Sequence, residues 1–276
     1  PFAYIIPREQ NDPVTTSKMI EILQLGGVEV NFTDKQFQID NVIYPANSYI
    51  IYLAQPNGRY VKDLFEEQNY PDLRKSKSEN PIVPYDVAGW TLPYLMGVKF
   101  YQIDKPFQVS SVKIDEPLYQ SGSVSNGNGK YFIARSGLNV NSILINRLQK
   151  NQIPVYWNVE KLSLNGKVFN EGSVVIEVSE KSKNVIYKAA NDLHLQFDIA
   201  EDIPKEKLKE LKKVNVALYQ PWTANMDEGW TRLLLENFEF NFVTIHNKDF
   251  KEKKLKQKYD VIIIPDMSGD LIKNGK

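Results

Sequence analysis

The sequence predicts an α/β protein made of parallel-sheet, three-layer units, the first duplicated within itself and followed by a shorter α/β unit. Three observations predict it. Strand-like apolar runs alternate with helix-like stripes along most of the chain, the pattern of crossover-linked parallel strands. The order of elements that opens the chain returns from Tyr131. A further strand–helix–strand series starts at Val214, beyond a charged boundary at 201–213.

Phe2 to Ile6 reads as a first strand, closed by Pro7. Asp12-Pro13 suits a helix cap and first turn, because proline lacks only an amide hydrogen that this turn leaves unpaired. Met19, Ile20 and Leu23 give the helix its apolar stripe, and Gly26-Gly27 ends it. Val28, Val30 and Phe32 alternate as a half-buried strand. Ser48 to Ala54 is apolar on both faces, which predicts a central strand. A helix over Val61 to Glu67 follows.

The second series matches the first. Tyr131-Phe-Ile-Ala134 resembles Tyr4-Ile-Ile-Pro7. Ile153, Val155 and Trp157 stand as far from Val28, Val30 and Phe32 as Ser173-Val-Val-Ile176 from Ser48-Tyr-Ile-Ile51. A helix at about Asn184 to Leu193 completes a degenerate duplication, with copies at about 2–67 and 131–195 in a domain of residues 1–200. Between them, 70–130 is a proline-rich insertion whose Ser-, Asn- and Gly-rich end, 121–129, is expected to be an exposed loop. Residues 201–213 are expected to form a linker helix from Pro204. The last unit, 214–276, has strands at Val214 to Tyr219, Phe240 to Ile245 and Tyr259 to Ile264. It is expected to be part of a truncated domain.

Two segments carry candidate ligand-binding residues. The first, Tyr219-Gln-Pro-Trp222 through Trp230, follows a strand and opens a helix at the carboxyl end of a parallel sheet, where such folds bind ligands. Tyr219, Trp222 and Trp230 are candidates to stack on a planar or sugar-like ligand, with Asp227 and Glu228 beside them. The competing reading is structural: Asn225 and Glu228 form a capping box, Trp222 packs on a neighbouring unit, and Trp230 joins Leu233 and Leu234 in a core. The second segment, Pro84 to Pro93, offers Tyr85, Asp86 and Trp90 as cleft-lining residues. Here the competing role is a hydrophobic anchor for the long insertion.

Composition narrows the chemistry. The 276 residues include 34 Lys plus Arg and 34 Asp plus Glu, so no excess positive charge favours nonspecific nucleic-acid binding. No cysteine is present, which excludes disulfides, thiolate zinc sites, iron–sulfur clusters and cysteine nucleophiles within this chain. His194 and His246, the only histidines, have no partner at zinc-motif spacing. Gly-x-Ser-x-Gly is absent, and Asn126-Gly-Asn-Gly129 lacks dinucleotide-loop spacing. The lysine-rich run 248–258 reads as a solvated helix face. No stretch of 18 apolar residues predicts a membrane span. A hydrolase using Asp12, Asp86 or Asp266 is a third, weaker reading.

Tyr219-Gln-Pro-Trp222, Met226-Asp-Glu-Gly-Trp-Thr-Arg232 and Tyr259-Asp-Val-Ile-Ile-Ile-Pro-Asp266 resemble the region that follows the catalytic domain in a bacterial branch of the zinc carboxypeptidases. Tyr4-Ile-Ile-Pro7, Gly27-Val-Glu-Val30, Ala54-Gln-Pro56, Gln68-Asn-Tyr-Pro-Asp72 and Pro84-Tyr-Asp-Val-Ala-Gly-Trp-Thr-Leu-Pro93 look like the earlier part of that region. The last unit also resembles a flavodoxin-like, class I glutamine-amidotransferase-like fold, without the cysteine its enzymes need. The resemblance implies zinc only in a preceding catalytic domain, and none of that domain's ligands can be carried onto this chain. It implies a non-catalytic accessory region that shapes substrate access or docks on the peptidase domain of the same polypeptide. An extracytoplasmic location, periplasmic or secreted, is implied too. The alternative is a small-molecule, peptide or glycan binding module.

Overall fold

A computed structural model describes residues 1–69, 71–83, 91–251 and 254–274. The chain has a mixed α/β fold with several sheets, divided into two compact units, Pro1–Gln120 and Ser121–Lys276.

The first unit opens with β1 (Ala3–Ile6) and α1 (Pro13–Leu25). The Asp12 carboxylate accepts from the amides of Val14 and Thr15 at 3.1 and 3.0 Å, so the helix starts where the Asp-Pro pair predicts. Then come β2 (Val30–Thr33), a hairpin of β3 (Phe37–Ile39) and β4 (Val42–Tyr44), and β5 (Ser48–Tyr52). The helices α2 (Gly58–Phe65) and α3 (Leu92–Leu95) precede β6 (Tyr101–Ile103) and β7 (Val112–Ile114). The strand order is β6-β1-β5-β2-β7, and β5 holds the central place predicted for it.

Every neighbouring pair in this sheet is antiparallel, which corrects the parallel-sheet expectation. β1 and β2 do point the same way across α1. They are not neighbours, because the β3–β4 hairpin turns the chain and β5 enters between them in reverse. Alternating strands and helices fix the crossover but not the strand that fills its gap. The three-layer expectation changes as well. All three helices cover one face, over Tyr4, Ile6, Tyr49 and Ile51, while the hairpin and Phe107 cover Ala3, Ile5 and Ile50 on the other.

The second unit contains β8 (Ser123–Val124), β9 (Tyr131–Ala134), α4 (Asn141–Lys150) and β10 (Tyr156–Asn158). A hairpin of β11 (Leu162–Leu164) and β12 (Lys167–Phe169) leads to β13 (Val174–Glu177), α5 (Glu180–Leu193), β14 (Gln196–Ala200) and β15 (Leu208–Glu210). The order is β15-β10-β13-β9-β14-β8, antiparallel except where β8 joins β14. Again the helices pack on one face and the hairpin on the other.

Ile6 stands opposite Tyr49, and Ala134 opposite Val174. With Tyr49 and Val174 aligned, Ala134 therefore corresponds to Ile6, one residue from the match with Pro7 that the sequence suggests. The shift matters, since a slip of one residue would exchange the faces. It places Tyr4 and Phe132 alike beneath the helices.

Two boundaries are also corrected. The stretch read as an insertion, 70–130, supplies both edge strands of the first sheet, β6 and β7. The expected linker helix at 201–213 is a single 3-10 turn, Lys205–Lys207, followed by β15 on the edge of β10.

The chain ends with β16 (Val216–Tyr219), α6 (Met226–Asn237), β17 (Phe242–Ile245), α7 (Asn247–Phe250), α8 (Leu255–Lys258), β18 (Val261–Ile263) and α9 (Gly269–Asn274). Here the sheet is parallel, as expected, in the order β17-β16-β18. Among the described residues no helix is long and apolar enough to cross a membrane.

Candidate functional site

The order β17-β16-β18 reverses at β16, since the chain moves first to one side of it and then to the other. Loops at the carboxyl ends of strands beside such a reversal form a crevice. Asn225 braces this one, its Nδ2 donating to the Asp266 carbonyl at 2.9 Å and so tying the loop after β16 to the loop after β18.

The side chain of Asn225 also caps α6, accepting from the Glu228 amide at 2.7 Å. The reciprocal arm of the predicted capping box is absent. Glu228 is only 6% exposed and its carboxylate turns to Arg232, four residues on, accepting from Nε at 3.0 Å and from Nη2. Arg232 also donates to Thr244 Oγ1 at 3.1 Å and lies 5.4 Å from the Phe242 ring centre. Glu228 is thus a strut between α6 and β17, already occupied by its own cation.

That geometry sets a stability difference. Glu228→Ala leaves a half-buried guanidinium without its carboxylate and is expected to cost about 2 kcal/mol, discounted for the solvent that still reaches Arg232. The double variant Glu228→Leu/Arg232→Met should return to within about 1 kcal/mol of the parent in urea unfolding. A single variant as stable as the parent would refute the strut.

Tyr219 is 6% exposed; its hydroxyl donates to Asn247 Oδ1 at 2.7 Å and its ring meets Phe250 edge-on. It supports the loop and offers no stacking face. Trp222 is 80% exposed, its ring lying over the imidazole of His246 with centres 6.4 Å apart and planes 23° from parallel. The His246 Nδ1 lies 3.0 Å from the Gln220 carbonyl. Asp227 is exposed in the first turn of α6, where its charge suits the helix N-terminus.

Trp230 is 63% exposed and does not enter a core with Leu233 and Leu234, which are exposed as well. Met226, Trp230 and Leu233 instead form an outward stripe at helical spacing, bordering a shallow concavity of about 590 Å³ with Gly229, Arg232 and Glu236. The structure therefore separates the predicted residues by task. Trp222 pairs with His246, Trp230 belongs to the stripe, and Tyr219 and Glu228 are internal. Tyr85, Asp86 and Trp90 lie outside the described residues.

Sequence reasoning missed His246, Asn247 and Arg232. The first two end the strand predicted from Phe240 to Ile245, so the parallel order alone brings them beside Tyr219 and Gln220. Of the aspartates in the hydrolase reading, Asp12 is engaged through its carboxylate and Asp266 through its backbone carbonyl. Asp12 holds the start of α1, also accepting from Thr15 Oγ1 at 2.7 Å, and Asp266 receives Asn225 through its backbone. A smaller cavity in the first unit, about 210 Å³, is lined by Thr16, Ser17 and Tyr49. Their hydroxyls donate to the carbonyls of Asp12, Leu118 and Leu118 respectively.

Among the described residues, no group of three or more His, Asp or Glu side chains is placed to hold a metal ion. No family model matches the chain, and no curated protein or solved structure matches it.

Proposed function

We propose that this chain is a non-catalytic accessory region of a zinc carboxypeptidase-like protein, docking on the peptidase domain through the outward face of α6. The carrying observation is the exposed stripe of Met226, Trp230 and Leu233 beside polar groups already paired internally. Exposed Trp flanked by apolar residues is the composition of interface anchors. The family-like motifs of the sequence supply the partner and, with it, an extracytoplasmic location.

The same reading includes an origin by duplication for residues 2–200, supported by the shared strand order and by hairpins at matching places. It also takes the last unit as flavodoxin-like, supported by three parallel strands in the order second-first-third.

The test mixes this chain with the separately produced peptidase domain of its own polypeptide and follows association by calorimetry. Trp230→Asp, a change at an exposed position, is expected to weaken association about thirtyfold or more. Absent association, or association indifferent to Trp230→Asp, would overturn docking by this face. Stoichiometric zinc binding with release of C-terminal amino acids by this chain alone would overturn the non-catalytic role.

A further inference from the structure

We propose that a groove within the second unit, between α4, β10 and the C-terminal end of α6, binds an anionic saccharide of the uronic-acid class. The groove has a volume of about 860 Å³, within the range of ligand clefts. It lies away from the loops after β16 and meets the concavity beside the Met226–Trp230 stripe at Glu236.

Its floor contains Trp157. The cross-strand partner of this residue is Val174, which lies in the core beneath the helices, so Trp157 is on that same face. Its neighbours on that face, Val155 and Val174, are buried, but the indole is 39% exposed. Ile145, Leu211 and Phe240 flank it. An open indole face with apolar flanks suits the flat C–H face of a sugar ring.

The walls are braced by bonds that do not use up the floor. Asn146 Nδ2 donates to the Phe238 carbonyl at 2.8 Å, and Gln149 Nε2 to the Leu211 carbonyl at 3.1 Å. Such bracing reduces the ordering that a ligand would otherwise have to impose.

Charge selects the ligand. Lys150, Lys212 and Lys213 border the groove, are exposed and form no ion pair among the described residues. The lining carboxylates are Glu236 and Glu239. Glu239 is held by Arg147 through Nε at 3.0 Å and Nη2 at 2.8 Å, leaving three ammonium groups against one uncommitted carboxylate. These cations are point charges on two separate segments, without the fork that arginine presents to a phosphate. Dispersed carboxylates on a ring with a flat apolar face fit separate ammonium groups around an indole better than a compact phosphate does.

The experiment titrates the 276-residue chain by calorimetry with trigalacturonic acid, maltotriose and a tetraglutamate peptide. Saturable binding of the uronide is expected, about tenfold or more tighter than either control. Lys212→Gln/Lys213→Gln, an exposed pair whose loss leaves the fold intact, should weaken the uronide about tenfold and flatten its salt dependence. Trp157→Ala should weaken it comparably. The proposal is overturned by absence of saturable uronide binding, by binding unchanged in the lysine variant, or by a glutamate peptide that binds as well.

Discussion

Replacing Asn158 with alanine is expected to lower the stability of the second unit by about 4 kcal/mol, among the largest effects of a single polar truncation. Asn158 is 1% exposed at the end of β10. Its Nδ2 donates to the carbonyls of Glu160, Phe169 and Asn170 at 2.8, 3.3 and 2.9 Å, and its Oδ1 accepts from the Ser173 amide at 2.7 Å. One side chain thus holds both ends of the β11–β12 hairpin to the sheet. Alanine would leave these buried groups short of partners where water cannot replace them. Thr33 occupies the corresponding place in the first unit, but among the described residues its hydroxyl bonds within its own turn, to Lys35. Thr33→Ala should therefore cost only about 1 kcal/mol. Urea unfolding reads the difference when it is followed both by tryptophan fluorescence, since Trp157, Trp222 and Trp230 lie in the second unit, and by circular dichroism, which reports the first unit as well. Equal costs at the two positions would refute the hairpin anchor.

Gly122→Ala should destabilise the same unit by about 3 kcal/mol. A Cβ at Gly122 would lie 1.7 Å from the carbonyl oxygen and 2.3 Å from the carbonyl carbon of Ala190, in the last turn of α5. Both obstacles are backbone, so the strand must lift. β8 would move with it, losing the bonds from Ser123 N to Leu195 O and from Ser125 N to Phe197 O, 3.0 and 2.8 Å. Gly229 gives the opposite sign. It is helical, a Cβ there meets nothing within 4 Å, and Gly229→Ala should stabilise by about 0.5–1 kcal/mol. Thermal unfolding of the two variants should therefore move in opposite directions. A Gly122→Ala protein that melts with the parent would show that β8 is dispensable.

Elements set by local chemistry were legible in the sequence. The Asp12-Pro13 start, the central strand at 48–52, the Asn225 cap and the final parallel sheet follow from capping groups and unbroken apolar runs. Strand direction was not, because a period of two is the same read either way. The hairpin at 162–169 had a readable signal that went unused: Asn165-Gly166, both at positive φ, between Leu164 and Lys167. The edge strands β6, β7, β8 and β15 are short and half exposed, with too little apolar pattern to distinguish them from loop. At the candidate site, Trp222 and Trp230 were recognised as distinctive residues but not their exposure. Glu228 and Arg232 stand at ion-pair spacing on a helix, yet capping-box spacing pointed Glu228 the other way. The lysine-bordered groove had no linear signature, since its lining comes from segments spread between Ile145 and Asn241.

The edge strands of the first sheet bear on how the chain emerges during synthesis. Ala3 pairs with Ile103, and Val30 with Ile114, so β1 and β2 wait for partners made long after them. Until then, the nascent β1-β5-β2 core carries two open backbone edges beside an aromatic-rich surface, a template for strands of other chains. Closure also needs long loops to be drawn in, which places this unit among slow-folding topologies. A ribosome paused before residue 114 would hold out a sheet with one edge still unpaired, so the region between α3 and β7 is where translation speed and chaperone capture bear most heavily on yield.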